Sequence, residues 1–327
     1  MKGNNKMDLE NIGFYTLSDY RASQCSDKSP LWRCELLVTN LCNFNCPYCR
    51  HVGPKGDMTW SDAKKILGYW FDHKLKNVRF SGGEPTIWPH IVEAVKYCNM
   101  HSHMERIAIS TNGSASLDLY QELIDAGVTD FSVSFDACCA EDCSKMSGGK
   151  DAWKTLTETI KFLSDKVYTT AGVVLTEDNE DRVVQIVDTA RSLGVSDIRV
   201  IPAAQHGKAL ESLPDIIDMP ILDYRRNKAK QGESVRGLRC GDCRKCSLVL
   251  DDMAVIGNKH YPCIIYAREG GAPIGTVGPL MRHQRKLWME QHDSLQDPIC
   301  ANNCLDVCRD YNNKVQEIKS KDEHILP

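Results

Sequence analysis

Cys42, Cys46 and Cys49 fall within eight residues, Cys42-Asn-Phe-Asn-Cys-Pro-Tyr-Cys49, just after the apolar run Cys34–Thr39. This C-x3-C-x2-C spacing constrains the chain more than any other feature. Three thiols so close together require a loop wrapped around one centre at the end of a strand. Thiolates are soft ligands that suit iron–sulfur clusters and zinc. Three ligands on a four-iron cube leave one iron open, and an open iron is a reaction site. Zinc takes four ligands, and His51 offers the fourth. Disulfides are the third reading.

The chain has 327 residues and sixteen cysteines. Further triads stand at Cys240, Cys243, Cys246 and at Cys300, Cys304, Cys308. The first ten residues carry no apolar h-region, so no signal peptide is expected. A reducing cytoplasm then favours metal ligation over disulfides. Apolar runs are too short to span a membrane. The net charge is -4 without a basic tail, so a nucleic-acid partner is not indicated.

Strand-like runs recur at Cys34–Thr39, Val78–Phe80, Ile107–Ser110, Phe131–Phe135, Thr170–Leu175 and Ile198–Ile201. Helical patterns lie between them, at Ser61–His73, Pro89–His101, Leu117–Ala126, Ala152–Leu163 and Asp181–Leu193. This alternation predicts an α/β fold with a parallel sheet and helices outside. Six strands are too few for a closed eight-unit barrel. Residues 1–33 read as an N-terminal cap, 34–202 as the barrel, 203–239 as a connector and 240–327 as a smaller cysteine-rich C-terminal domain.

Three motifs end successive strands: Ser81-Gly-Gly-Glu-Pro85, Ser110-Thr-Asn-Gly113 and Ser132-Val-Ser-Phe-Asp136. With the cysteine triad, and Tyr48 before its last cysteine, they resemble the radical S-adenosylmethionine (radical SAM) enzymes, in order over residues 34–202. The zinc reading leaves the three downstream motifs without explanation. The resemblance implies a partial (β/α)6 TIM-type barrel with its site at the C-terminal rim. It implies a [4Fe–4S] cluster on Cys42, Cys46 and Cys49, with S-adenosylmethionine on the open iron. Reductive cleavage would give a 5′-deoxyadenosyl radical that takes a hydrogen atom from the substrate. Tyr48, Gly82, Gly83, Glu84, Ser110, Asn112, Ser134 and Asp136 would form the cofactor site. The glycines permit close approach, and Glu84 would accept from the SAM ammonium group. For Ser110, Asn112, Ser134 and Asp136, strand-end turns or helix caps are the alternative. Arg199 faces a carboxylate in the barrel or an outward ion pair. Val200 and Ile201 face the adenine or pack in the core.

The segment from Cys246 through Gly257 to Cys263 resembles the hairpin of SPASM and twitch extensions, which hold an auxiliary iron–sulfur cluster. The spacing after Gly257 is one residue longer than usual. Cys246, Cys263, Cys300 and Cys304 are the expected ligands of one auxiliary [4Fe–4S] cluster, with Cys308 as alternate. Cys240 and Cys243 would join only in a two-cluster arrangement, and a structural zinc remains the alternative. After the fourth strand, Cys138, Cys139 and Cys143 are candidate hydrogen-atom donors or ordinary loop cysteines. His206 and Glu177 are candidate acid–base groups or solvated loop residues.

The resemblance implies an enzyme that oxidises or rearranges a small polar metabolite: a sugar, aminocyclitol or nucleoside. It would receive electrons from a reductase such as flavodoxin or ferredoxin. The alternative is a maturase of ribosomally made peptides, though residues 1–33 are too short for a winged-helix leader-binding domain. A non-catalytic iron–sulfur or zinc module is the third reading. Glu84, Asn112 and Asp136 argue against it.

Overall fold

The computed structural model describes residues 15–50, 53, 55–202, 206–215 and 218–323. His51 lies outside them, as does the side chain of His206. Six parallel strands run β1 Arg33–Thr39, β2 Asn77–Gly82, β3 Arg106–Thr111, β4 Asp130–Ser134, β5 Tyr168–Leu175 and β6 Asp197–Pro202. A short helix α1, Asp19–Gln24, precedes them. Helices α2 Trp60–Asp72, α3 Ile91–Asn99, α4 Leu117–Ala126, α5 Ala140–Met146, α6 Trp153–Ser164 and α7 Val183–Ser192 connect them. The sheet order is β6-β5-β4-β3-β2-β1, and the sheet does not close.

Local chemistry explains these elements. Thr59 caps α2 by accepting from the Asp62 amide at 3.1 Å. Ser116 caps α4, and Gly127 ends it with a left-handed φ of 118°. Each strand is flanked by helices, so its outward side chains must be apolar. Leu36, Phe80, Ile109, Phe131, Val133, Val173 and Val200 are buried accordingly. So are Trp70 and Phe71 of α2.

The segment after β4 is not a plain loop, because α5 covers residues 140–146 there. The chain then forms α8 Pro220–Lys230, β7 Asp252–Ile256, β8 Lys259–Tyr261, α9 Ile264–Arg268 and β9 Gly275–Thr276. It ends in α10 Met281–Gln291, α11 Pro298–Asn303 and α12 Asp306–Glu323. Strand β7 pairs parallel with β1, from Arg33↔Asp252 to Leu37↔Ile256, and β8 and β9 follow antiparallel. The C-terminal residues thus extend the barrel sheet into nine strands. An exposed β1 edge would leave unpaired main-chain groups, and β7 covers it.

The described N-terminal residues pack on this C-terminal unit. Arg21 is fully buried, bonds Asp251 at 2.6 and 3.1 Å and lies over the Tyr311 ring at 4.8 Å. Ala22 and Cys25 share a buried cluster with Leu248, Tyr311 and Val315.

Candidate active site

The triad loop is seated by its neighbours' backbone. The Gly83 amide donates to Thr39 O at 2.8 Å, and the Glu84 amide donates to Leu41 O at 2.8 Å. A Cβ on Gly83 would stand 2.0 Å from Leu41 O, and one on Gly82 would stand 2.1 Å from Thr39 O. The glycine pair therefore allows the loop after β2 to lie against the loop that carries the cysteines. Gly148 does the same from the other side: a Cβ there would stand 2.1 Å from Asn45 O. Gly148 was not singled out in the sequence. Its adjacency to Gly149 was the available signal.

Side chains complete the seat. Glu84 is buried, and its carboxylate accepts from the Thr86 amide at 3.1 Å and hydroxyl at 2.6 Å. It also accepts from the Thr111 hydroxyl at 2.7 Å and the Asn112 amide at 2.6 Å. Glu84 thus ties β2's end to β3's end. Asn112 Nδ2 donates to Asn43 Oδ1 at 2.9 Å and approaches Cys42 Sγ at 3.8 Å. Tyr48 donates its hydroxyl to Asp136 Oδ2, and the Val174 amide donates to Asp136 Oδ1 at 2.6 Å. Asp136 therefore anchors the cysteine loop to β4 and β5. Burial pushes its carboxyl up to about 6.

Cys42, Cys46 and Cys49 line one cavity of about 310 Å³. Tyr48, Gly82, Gly83, Glu84, Ser110, Asn112, Ser134 and Asp136 line it too, so the sequence motifs converge. Cys46 feels both Cys42 and Cys49, so the three thiols stand around one centre. The donor set, three half-buried to exposed thiols around a cavity, fits a cluster with one open iron. Burial pushes the Cys46 thiol up to about 11, so cluster binding must release its proton. All sixteen cysteines are free, which disposes of the disulfide reading.

A second cavity of about 340 Å³ adjoins the first, sharing Ser81, Ser110, Ser134 and Ile201 as wall. Arg199 lies here, inside the barrel and away from the cysteine triad. Val200 is core. Cys246, Cys263, Cys300, Cys304 and Cys308 line the second cavity as well, and none of them lines the first. Cys246, Cys300, Cys304 and Cys308 each feel Cys263, and burial holds all five thiols high. Cys243 also lines this cavity, whereas Cys240 is exposed. Cys300 Sγ is 3.7 Å from His292 Nε2.

The three candidate thiols separate. Cys143 is buried and lines the triad's cavity, and burial pushes it up to about 11. Cys138 and Cys139 line neither cavity. They sit with Asp142, which Arg182 pairs. Glu177 is exposed. Arg50, next to Cys49, pairs with Glu269, and both line the first cavity, a contact the sequence did not reveal.

Comparison with known proteins agrees with this geometry. Residues 36–190 match the Radical SAM superfamily profile. A probable GTP 3′,8-cyclase of Saccharolobus islandicus (strain L.S.2.15 / Lassen #1) is 28% identical over 177 residues, 53% of this chain and 57% of that protein. The molybdenum cofactor biosynthesis protein moc-5 of Caenorhabditis elegans is 32% identical over 176 residues, 50% of this chain and 29% of that one. The matched stretch thus spans little more than half the length of the first of these relatives, and less of the second. Among solved structures, native anSMEcpe with bound AdoMet superposes with a TM-score of 0.60 at 14% identity, covering 89% of this chain and 95% of that one. Streptococcus suis SuiB bound to S-adenosylmethionine gives 0.57 at 14% identity, covering 84% and 65%. These two likenesses show the open-barrel fold. Residues 36–190 thus match the radical SAM superfamily, whose members use a [4Fe–4S] cluster and S-adenosylmethionine.

Proposed function

We propose that the protein is an enzyme that reductively cleaves S-adenosylmethionine to a 5′-deoxyadenosyl radical and takes a hydrogen atom from a small polar metabolite. One observation carries this reading. The cavity lined by the triad shares Ser81, Ser110 and Ser134 with a second cavity that five further cysteines line. Its volume of about 340 Å³ suits a small molecule.

Cys42, Cys46 and Cys49 would hold the catalytic cluster, which supplies an electron to the sulfonium when reduced. Glu84 and Asn112 position the cysteine loop, and Tyr48 with Asp136 pins its end. Ser110 and Ser134 stand where cofactor and substrate cavities meet. Four of Cys246, Cys263, Cys300, Cys304 and Cys308 would hold one auxiliary [4Fe–4S] cluster in a SPASM/twitch-like unit. It would accept an electron from the substrate radical, giving net oxidation. In a redox-neutral reaction Cys143 would instead return a hydrogen atom to that radical. A flavodoxin or ferredoxin would reduce the protein, and a reducing cytoplasm suits its free cysteines. The curated relatives named as probable GTP 3′,8-cyclases favour the nucleoside class within this reading.

The test uses deuterated cell extract split by size, incubated anaerobically with reconstituted protein, reductant and S-adenosylmethionine. Deuterium in 5′-deoxyadenosine from small-molecule fractions is expected. Transfer from peptide fractions alone would replace this reading with a peptide maturase. Absence of any SAM cleavage would leave a cluster-binding module.

A further inference from the structure

We infer that His292, Asp297 and Cys300 form a mononuclear site for a divalent ion of zinc's type, and that Cys300 is the thiol the auxiliary cluster leaves free. The inference goes beyond the reading above, because this site belongs to neither cluster.

Local structure brings the three residues together. Helix α10 ends at His292, whose amide donates to Trp288 O at 2.8 Å and whose ring stacks on the Trp288 indole at 3.9 Å. Lys245 donates to the carbonyls of Glu290 and His292 at 2.7 and 3.0 Å, which fixes the chain there. Downstream, Asp297 caps α11, its Oδ1 accepting from the Ile299 and Cys300 amides at 2.8 and 2.9 Å. The cap sets Cys300 beside its own carboxylate. The other oxygen, Oδ2, accepts from the Tyr266 hydroxyl at 3.0 Å and faces His292.

The distances suit one ion. His292 Nε2 is 3.7 Å from Cys300 Sγ and 3.7 Å from Asp297 Oδ2, and the three ligand atoms all lie within 4.8 Å of one another. Zinc binds sulfur at about 2.3 Å and nitrogen or oxygen at about 2.0–2.2 Å. At tetrahedral angles such bonds set sulfur and nitrogen about 3.6 Å apart, and nitrogen and oxygen about 3.4 Å apart. The nitrogen is too far from the carboxylate oxygen for a hydrogen bond, yet it is placed as a second ligand of the same ion. Thiolate, imidazole and carboxylate together are a donor set that zinc accepts.

The surroundings of Cys300 are an independent observation. Of Cys246, Cys263, Cys300, Cys304 and Cys308, one is surplus to a [4Fe–4S] cluster. Burial raises each of these thiols. Beyond burial, Cys300 feels the Asp297 carboxylate most, whereas Cys246, Cys304 and Cys308 each feel another thiol most. For Cys246 that thiol is Cys300, so ion and cluster are neighbours. Cys300 lines the second cavity with Tyr266 and Ser294, and the ion therefore borders that chamber. Three protein ligands leave zinc a fourth position for water or a substrate oxygen.

The anaerobically reconstituted full chain would be incubated with equimolar zinc, desalted, and analysed for zinc, for iron and by zinc X-ray absorption. Wild type should retain about one zinc per chain, with one sulfur at about 2.3 Å and the remaining ligands nitrogen or oxygen. Its iron should stay at about eight per chain. His292→Phe keeps the ring stack and removes the nitrogen. Asp297→Asn keeps the cap and removes the charge. Cys300→Ser removes the sulfur. Each should weaken zinc binding at least about tenfold against a chromophoric chelator, since even partners that only orient a ligand are worth that much. Each should also keep about eight irons. His90→Ala, at the start of α3, should bind zinc as wild type does. Circular dichroism checks that each variant is folded. Loss of about four irons from Cys300→Ser would place Cys300 on the auxiliary cluster and overturn the inference. So would wild type that retains no zinc, zinc bound mainly by sulfur, or equal binding by wild type and the three ligand variants. About four irons in wild type, with zinc held as expected, would remove the auxiliary cluster and leave this site standing. Zinc retention without SAM cleavage sinks the catalytic reading alone. SAM cleavage without zinc retention sinks this one alone.

Discussion

Gly83→Ala is the sharpest test of how the cysteine loop is held. The added Cβ would stand 2.0 Å from Leu41 O and 2.6 Å from Leu41 C, both main-chain atoms that no rotamer change can move. Reaching ordinary contact at 3.4 Å requires the two loops to part by about 1.4 Å. The Gly83 N–Thr39 O and Glu84 N–Leu41 O bonds, each 2.8 Å, cross that contact and would not survive the move. Each bond contributes about 0.5–1.5 kcal/mol net, and overpacking costs about 1–3 kcal/mol. The expected loss is therefore about 2–6 kcal/mol. Most domains of ordinary stability, about 5–15 kcal/mol, withstand that, but the loop carrying Cys42 would detach first. Anaerobic urea unfolding reads the stability, and iron analysis after reconstitution reads the loop. About four irons should be lost, those of the triad's cluster, while the auxiliary cluster persists. Gly68→Ala in α2 is the contrast, because its Cβ meets nothing within 4 Å. It should stabilise by about 0.5–1 kcal/mol through helix propensity. If Gly83→Ala lost under about 1 kcal/mol and kept its full iron, the seating argument would be wrong.

Three further outcomes follow from the structure. Changing Cys42, Cys46 and Cys49 together to Ala should lower reconstituted iron from about eight to about four per chain. About four in wild type and none in the variant would remove the auxiliary cluster. Asp197 is buried and accepts from the Ile198, Ile221 and Leu222 amides, yet burial pushes its carboxyl from 3.8 up to about 6. A raised carboxyl stabilises fully below about pH 4, and that contribution fades as pH rises through about 6. Asp197→Asn should thus gain on wild type by up to about 3 kcal/mol between pH 4 and pH 7. A pH-independent difference in urea unfolding would refute this. Arg285 is fully buried and donates to the carbonyls of Val249 at 2.7 Å, Asp252 at 2.5 Å and Tyr261 at 2.9 Å. Lysine concentrates its donors at one point, so Arg285→Lys should cost about 2–4 kcal/mol in the same assay. A loss within about 0.5 kcal/mol would contradict it.

The barrel was legible because strand and helix periods are local. Every expected strand appears within three residues of its place, and the three strand-end motifs meet at one cavity. Pairing across long sequence distance was not legible. Nothing in Asp252–Ile256 names β1 as its partner, yet that pairing joins the two cysteine groups through one sheet. The role of Asp136 was hidden for the same reason, since its partners Tyr48 and Val174 lie on separate segments. Arg199 is more instructive. Its sequence environment left it either inside the barrel or outside in an ion pair. Yet its flanking residues, Ile198 and Val200, are fully buried, as are Val78 and Phe80 around Arg79, and Cys34 and Leu36 around Glu35. Strand side chains alternate faces, and the outer face of a β/α barrel is covered by apolar helix surface. Apolar neighbours on both sides of a mid-strand charge therefore claim the outer face. The charge is left facing the lumen. Applied to β1, β2 and β6 together, that reasoning places Arg33, Glu35, Arg79 and Arg199 in one chamber from sequence alone, and the structure finds all four lining it.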